Sequence, residues 1–372
     1  MLLCLDPSLV VAAGQENVPN EIRDALENIA LAIYEGSHLV VGDRSVLGTL
    51  AKLPQLSERA RSCFQYQHGQ MTQLGNLINH FSYRIEITAH GPAEIRNQGR
   101  VGTLPASWFA HSSVIQHTIF LCEHLDDEAL FKKIGEVYKH KKGLARLALH
   151  TEPQMGGGST TGTAYQHIQD QQKRLCFCLV DSDRKHPKGA LGDTAKAVKN
   201  ADDLSQPLCG YAVLDVREGE NLIPNAVFTQ ARGADPHQGP ALQFLDELQQ
   251  SGASDCRAYL DMKDGLNYGK VAHEPPQSEF RHYWQQQCQS LPGSKIKNHC
   301  TINPGCKDPK HCECLLFAGL GPQILRDSVA GMNKLKPARL YNMLDQNLQA
   351  EWLRIGALMA AWFCASYPKR AT

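Results

Sequence analysis

Two aspartates follow an apolar run in the middle of the chain. Residues 175–180 read LCFCLV, and Asp181 and Asp183 come directly after them with one serine between. In an extended segment residues i and i+2 face the same side, so both carboxylates are expected to project from the end of a buried strand. Close carboxylates repel each other and lose hydration, and a divalent cation relieves both penalties. Oxygen ligands of this kind favour Mg²⁺ or Mn²⁺, although such pairs also occur in helix caps and solvated turns.

The segments around this pair alternate between strands and helices. We predict strands in HTIFLCE, GLARLALH, LCFCLV and CGYAVLDV, and helices in DDEALFKKIGEVYKH, TAYQHIQDQQKR and GDTAKAVKN. This alternation favours a mainly parallel sheet flanked by helices, with functional groups at the carboxyl ends of the strands. Glu123, the glycines of QMGGGSTTG, the two aspartates and the Glu218/Glu220 pair all follow predicted strands. Their joint occurrence favours a metal site over isolated caps.

The flanking regions carry fewer chemical signals. In residues 1–110, NEIRDALENIALAIYEG predicts a helix that ends at Gly36, and SHLVVGD predicts a strand, but we assign no role. Near the end, LQAEWLRIGALMAAWFCASYP predicts a helix ended by Pro368 that packs on the core through Trp352 and Trp362. We therefore expect an α/β region at 1–110, a catalytic domain at 111–275 and a helical, cysteine-rich region at 276–372.

Three motifs in this order resemble the Toprim domain. A glutamate ends one strand, glycines follow the next, and D-x-D ends a later one. LDVREGENLIPNAVF is similar to the R-E-x-E-N segment of Toprim-like nucleases of bacterial anti-phage systems, which include the overcoming-lysogenization-defect family and nucleases that act beside a separate ATPase. YLDMKDGL is similar to their D-x-K-x-G element. The resemblance covers about residues 113–270.

The resemblance implies a role for each matching acid. Glu123 takes the place of a general acid/base or metal-orienting glutamate, and Asp181 and Asp183 take the place of the Mg²⁺ ligands. Glu220 is the first choice for a further acid, and Glu218 the second.

Two further positions of the motifs bear on these assignments. Gly219 stands where the family usually has an apolar residue. This departure weakens the match to the family at Glu218 and Glu220. Lys263 would contact the scissile phosphate, with a solvated turn lysine as the alternative.

The activity implied is metal-dependent hydrolysis of phosphodiester bonds in DNA or RNA, with tRNA among the candidate substrates. The resemblance also implies an effector of a prokaryotic anti-phage defence system. Two alternatives stay open. One is a non-catalytic Toprim-fold subunit that binds a partner ATPase or nucleic acid, and the other is a Mg²⁺-dependent phosphotransferase that acts on small phosphate esters.

The glycine-rich loop does not form a Walker motif. Gly157 and Gly162 have the required separation, but Thr163 and Ala164 stand where Lys and Ser or Thr are needed. We therefore expect no ATP hydrolysis by this chain, and the resemblance to defence nucleases implies a separately encoded ATPase partner. The glycines are expected to let the backbone turn close to the acidic site.

A cysteine cluster near the carboxyl terminus predicts structural zinc. NHCTINPGCKDPKHCEC contains Cys300, Cys306, Cys312 and Cys314, and His311 could replace one of them. Thiolates at this density suit tetrahedral Zn²⁺, although the spacing differs from that of standard zinc fingers. Unligated thiols and a redox role are the alternatives.

Composition bears on whether the chain binds nucleic acid, spans a membrane or is secreted. Lys+Arg and Asp+Glu number 38 each, so net charge does not indicate a nucleic-acid binder, although a local basic face is compatible with it. No apolar stretch is long enough for a membrane span, and no basic stretch precedes the apolar start as in a signal peptide. The 13 cysteines lie partly in predicted buried strands, which favours free thiols and a cytoplasmic location. The pattern does not predict an oligomeric state.

Overall fold

The computed structural model describes residues 1–74, 77–251, 254–290 and 315–369. The chain forms two compact units. The first unit comprises Met1–Leu179, Ala197–Ala212 and Leu353–Thr372, and the second comprises Val180–Lys196 and Val213–Trp352. Both units combine separate stretches of sequence, whereas the domains predicted from the sequence are consecutive, and the limits at 110 and 275 stay predictions.

The strands within the described ranges are short and largely apolar. They are β1 (Leu2–Leu5), β2 (Leu39–Gly42), β3 (Arg84–Thr88), β4 (Glu94–Arg96), β5 (Val101–Pro105), β6 (Ile119–Cys122), β7 (Ala148–Leu149), β8 (Glu152–Met155), β9 (Cys176–Val180), β10 (Cys209–Val213), β11 (Leu266–Asn267), β12 (Leu315–Phe317) and β13 (Cys364–Ala365).

The helices of the same ranges separate most of these strands. They are α1 (Ser8–Ala13), α2 (Asn20–Glu35), α3 (Arg44–Leu50), α4 (Glu58–Leu74), α5 (Leu125–Lys141), α6 (Thr161–Gln171), α7 (Asp193–Ala201), α8 (Asn225–Arg232), α9 (Gly239–Ser251), α10 (Tyr268–Ala272), α11 (Glu279–Ser290), α12 (Ile324–Met332), α13 (Pro337–Tyr341) and α14 (Gln346–Phe363).

A five-stranded sheet contains the amino-terminal strands in the order β2-β1-β3-β5-β4. Its pairs are parallel except for β4 with β5. The predicted helix is α2, which ends at Gly36 with φ +68°, and the strand predicted in SHLVVGD is β2. The parallel arrangement buries β1 and β2, which explains their nearly continuous apolar sequences.

A four-stranded sheet has the order β10-β9-β6-β8, and β6 pairs in parallel with β8 and β9. This confirms an α/β architecture with parallel strands flanked by helices. The prediction for GLARLALH is wrong in part, because only Ala148–Leu149 is a strand and it pairs antiparallel with β13. The sheet uses β8 instead, an exposed edge strand that includes Pro153.

Aromatic side chains fill the core of the first unit. The ring of Trp362 stacks on Tyr83 and Phe177 with centroid distances of 4.8 and 5.2 Å, and the Phe120 ring lies 4.8 Å from that of Phe363. Trp362 thus joins the residue that precedes β3 of one sheet to β9 of the other. The prediction that this tryptophan is a core residue is confirmed.

The core of the second unit includes Trp284, Phe228, Phe317 and Trp352, all nearly inaccessible to solvent. The indole N–H of Trp352 donates to the carbonyl of Leu222 (2.8 Å), which ties α14 to the segment that follows β10. Helix α14 ends at Phe363, before the predicted limit at Pro368, because β13 begins there. Among the described helices, none is long and apolar enough to cross a membrane.

Candidate active site

Glu123 and the glycine-rich loop lie together in the first unit. Glu123 directly follows β6, and residues 156–158 directly follow the neighbouring strand β8. The Gly156 N–H donates to the carbonyl of Cys122 (2.7 Å), and Gly157 and Gly158 have φ values of +72° and +64°, which favour glycine. A Cβ on Gly158 would lie 3.8 Å from Glu123 Oε2. The loop therefore brings the backbone beside this carboxylate, as the sequence indicated.

Asp181 and Asp183 belong to the second unit, and the chain is not extended across them. Strand β9 ends at Val180, and Asp183 adopts a left-handed conformation with φ +53°. The Oδ1 atom of Asp181 accepts a hydrogen bond from the Gly219 N–H (3.1 Å). The exposed carboxylate of Asp183 lies against Gly192, where a Cβ would come within 2.0 Å of Asp183 Oδ2. The i, i+2 geometry expected from the sequence is therefore not adopted, and the role of both residues as metal ligands stays a prediction.

The R-E-G-E-N segment forms a buried 3₁₀ helix, Gly219–Leu222, with Glu218 at its N-cap. Glu218 and Asn221 form a reciprocal capping box, in which the Glu218 N–H donates to Asn221 Oδ1 (2.9 Å). The Nδ2 group of Asn221 donates to the carbonyls of Arg257 and Leu260 at 2.8 and 3.0 Å. Asn221 thus helps to hold this loop, a role that the motif alone did not reveal.

A tight turn in the D-M-K-D-G segment lies against the same loop. The Met262 N–H donates to Glu218 Oε1 (2.8 Å), across 44 residues of sequence. Asp261 accepts from the Asp264 N–H (2.8 Å) through one oxygen and from the Arg217 guanidinium through the other. Two motifs that were recognised separately in the sequence therefore contact each other directly.

Lys263 is paired with both glutamates of the loop. Its Nζ atom lies 2.9 Å from Glu220 Oε1 and 3.8 Å from Glu218 Oε2. Burial lowers the pKa of Lys263, but the charges of Glu220, Glu218 and Asp181 together raise this pKa above its usual value. Lys263 therefore belongs to an ion-pair network, and its contact with a scissile phosphate stays a prediction.

The carboxylates are close enough to affect each other's protonation. Burial raises the pKa of Glu218 to about 7, and the negative charge of Glu220 adds to the rise, while Lys263 opposes it. Glu220 is only 1% exposed, and its Oε1 atom accepts no aligned hydrogen bond from the described residues, although the Lys263 ammonium lies close to it. Lys263 therefore lies among three carboxylates, those of Asp181, Glu218 and Glu220.

The structure describes the residues of the predicted Mg²⁺ site but not those of the predicted Zn²⁺ site. Within the described ranges, no group of three or more His, Cys, Asp or Glu side chains is arranged to hold a metal ion. In the second unit, the ammonium of Lys263 provides the positive charge between Glu218 and Glu220. The zinc ligands predicted from the sequence (Cys300, Cys306, Cys312, Cys314 and His311) lie outside the described residues.

Three cysteines predicted to be buried, free thiols are both buried and free in the structure. Cys122, Cys176 and Cys178 are buried and unbridged in or at the ends of strands β6 and β9. Burial raises the pKa of the Cys122 thiol above its usual value, so this group packs as a small apolar side chain.

In comparisons with protein-family models, with curated proteins and with solved structures, no match to this chain was found.

Proposed function

We propose that the chain is a metal-dependent nuclease with a Toprim-like catalytic region, and that the acidic cluster of the second unit takes part in hydrolysis. The observation that supports this most strongly is the contact between the two motif loops. It brings the buried carboxylates of Glu218 and Glu220 to Lys263, and Asp181 accepts a hydrogen bond from Gly219 of the first loop. These are the residue types that metal-assisted phosphodiester cleavage uses.

The residue types of the cluster suit a divalent cation. All candidate ligands are carboxylates, which suit Mg²⁺ or Mn²⁺. Burial and the negative charge of Glu220 both raise the pKa of Glu218, and a cation beside these carboxylates would stabilise their charged forms. Asp181 and Glu220 would hold this cation, and Asp183 is the further ligand that the resemblance implies. The cation would activate a water molecule and stabilise charge on the leaving oxygen.

Two side chains of the cluster would act on protons and charge. Glu218 has a pKa of about 7, so it can take up and release a proton near neutral pH, as a general acid or base requires. The Nζ atom of Lys263 would bind a non-bridging oxygen of the substrate phosphate, because it already pairs with a carboxylate oxygen, Glu220 Oε1, at this position. Glu123, in the first unit, keeps the acid/base or metal-orienting role that the resemblance implies.

The biological setting of the proposal comes from the resemblance alone. In that setting the chain would be an effector of an anti-phage defence system that cuts DNA or RNA, tRNA included, beside a separately encoded ATPase. A structural Zn²⁺ site in the cysteine cluster is part of the same proposal.

A second candidate is a non-catalytic subunit that binds a partner ATPase or nucleic acid. It is favoured by the internal bonding of the acids, because Glu218 caps a helix and Lys263 pairs with Glu220. In that case the acidic cluster would only stabilise the fold.

A substrate panel tests the two candidates. Purified protein is incubated with single-stranded and duplex DNA, RNA, tRNA and a small phosphate ester, each with Mg²⁺, Mn²⁺ or EDTA. We expect cleavage of at least one nucleic acid with a divalent cation and none with EDTA. Hydrolysis of the ester alone would identify a phosphotransferase or phosphatase, and inactivity towards every substrate would contradict the proposal.

A further inference from the structure

A cavity of about 460 Å³ lies within the second unit beside the acidic cluster. Its walls combine aromatic and basic side chains: Tyr259, Phe280, Trp284, Lys185, Arg217 and Lys270. The volume suits a small organic ligand. Flat apolar faces together with cations suit a ligand that has an aromatic ring and a negative charge.

The aromatic wall is held rigidly. The indole N–H of the buried Trp284 donates to the carbonyl of Lys185 (2.9 Å). The ring of Tyr283 packs edge-on against Trp284 and Tyr259, with centroid distances of 5.2 and 6.0 Å. Tyr259 and Phe280 are partly exposed, so their rings remain accessible to a ligand. Aromatic faces of this kind stack nucleobases with little dependence on the base.

The basic groups leave positive charge at the cavity. Lys185 and Lys270 are exposed, and neither forms an ion pair with another described residue. Arg217 is paired with Asp261, which also lines the cavity, and its Nε–H is buried without an acceptor in the described chain. Since Asp261 is neutralised by Arg217, Glu274 is the acid that remains against the two lysines. Such a surface attracts phosphate.

The cavity and the acidic cluster share one turn. Asp261 pairs with Arg217 in the cavity wall, and two residues further along the chain Lys263 contacts Glu220. We propose that the cavity binds one unpaired nucleotide, its base against Phe280 and Tyr259 and its phosphate at Lys185 and Lys270. The next phosphodiester of the strand would then reach the acidic cluster. A base inside a duplex would have to leave its stack to enter such a cavity, which costs free energy, so the cavity favours single-stranded nucleic acid.

This inference rests on the proposed function only for the role of the neighbouring phosphodiester, so binding is measured without cleavage. Fluorescence anisotropy with EDTA compares a labelled single-stranded oligonucleotide with its duplex. We expect the wild-type protein to bind the single strand at least tenfold more tightly. Phe280→Ala should weaken single-strand binding about fivefold or more, since stacking on one aromatic residue is worth at least about 1 kcal/mol. Lys270→Ala should also weaken single-strand binding, because it removes a positive charge that attracts phosphate.

Controls separate loss of binding from loss of fold. Lys334→Ala removes an exposed lysine of the same unit that does not line the cavity, and it should bind as wild type. Phe280→Tyr keeps an aromatic ring and should retain binding. Circular dichroism should show that each variant is folded.

Equal affinity for the strand and the duplex, or unchanged binding by Phe280→Ala and Lys270→Ala, would overturn the inference. Binding of a peptide instead of an oligonucleotide would do the same. If no metal supports cleavage but the expected binding pattern is found, the nuclease proposal fails and the nucleotide site stands.

Discussion

The ammonium of Lys263 lies 2.9 Å from the carboxylate of Glu220, a side chain that is only 1% exposed. Glu218 lies next to this pair, with a pKa raised by burial and by the charge of Glu220. A buried carboxylate is tolerated only with a cationic or hydrogen-bonding partner. Lys263 therefore neutralises part of the negative charge of these carboxylates, a role that we propose a divalent cation shares during catalysis.

Removal of this lysine should destabilise the protein. We expect Lys263→Met to lower the free energy of unfolding by roughly 2 kcal/mol, less than for a fully buried pair because Lys263 is partly exposed. Mn²⁺ should restore more stability to this variant than to wild type, because the carboxylates have lost their internal cation. Thermal denaturation with and without Mn²⁺ measures both effects, with Lys334→Met as the control. No added stabilisation by Mn²⁺ would argue against a cation site at these acids.

The raised pKa of Glu218 predicts a pH dependence of stability. Between about pH 4.5 and 7 the unfolded state loses the proton of Glu218 while the folded state keeps it. The folded state therefore binds more protons, and this group's contribution to stability falls as pH rises through that window, by at most about 1.4 kcal/mol per pH unit.

Glu218→Gln should remove this component, which denaturant unfolding without divalent cations at pH 5, 6, 7 and 8 can measure. Asp235→Asn changes an exposed aspartate of the same unit and should leave the slope unchanged. An identical pH profile for Glu218→Gln and wild type would contradict the burial of this carboxyl group.

Asn221 should be essential for stability rather than for chemistry. Its side chain is fully buried and forms hydrogen bonds with Glu218, Arg257 and Leu260. Asn221→Ala leaves buried backbone groups without partners, and we expect a loss of about 2–4 kcal/mol on unfolding. Chemical denaturation provides the measurement, with the exposed Asn333→Ala as control. A loss below about 0.5 kcal/mol would mean that this capping network does not hold the loop.

Substitution of Glu123 tests the acid/base or metal-orienting role that the resemblance implies for this residue. Glu123→Gln keeps the size of the side chain and removes its charge, so nuclease activity should fall at least about 100-fold while stability changes little. Glu136→Gln, on the half-exposed end of an ion pair in α5, should remain active. Wild-type rates for Glu123→Gln would remove Glu123 from the catalytic residues.

The periodic segments of the chain could be predicted from the sequence. Strand β9, helix α2 and helix α5 have clear apolar patterns and clear ends, such as Gly36 after α2 and the acidic residues in the first turn of α5. Strand β8 could not be predicted, because it is an exposed edge strand with the sequence EPQM and one partner, β6. Its position depends on sheet pairing rather than on its own side chains.

The motifs could identify the residues of the candidate site but not their bonding. R-E-G-E-N and D-M-K-D-G were recognised separately, and nothing local in either indicates that Lys263 pairs with Glu220 or that Asn221 bonds to Leu260. For Asp183, the period-2 rule does not apply because its backbone is left-handed. The grouping of the chain into units also depends on long-range contacts that no single segment encodes.

Cleavage by variants of the acidic cluster tests the central claim most directly. With the nucleic acid and cation that support the highest wild-type rate, we predict that Asp181→Asn and Glu220→Gln each cleave at least about 100-fold more slowly. Asp235→Asn should cleave at the wild-type rate. Wild-type rates for folded Asp181→Asn and Glu220→Gln would contradict the claim that these carboxylates carry out hydrolysis.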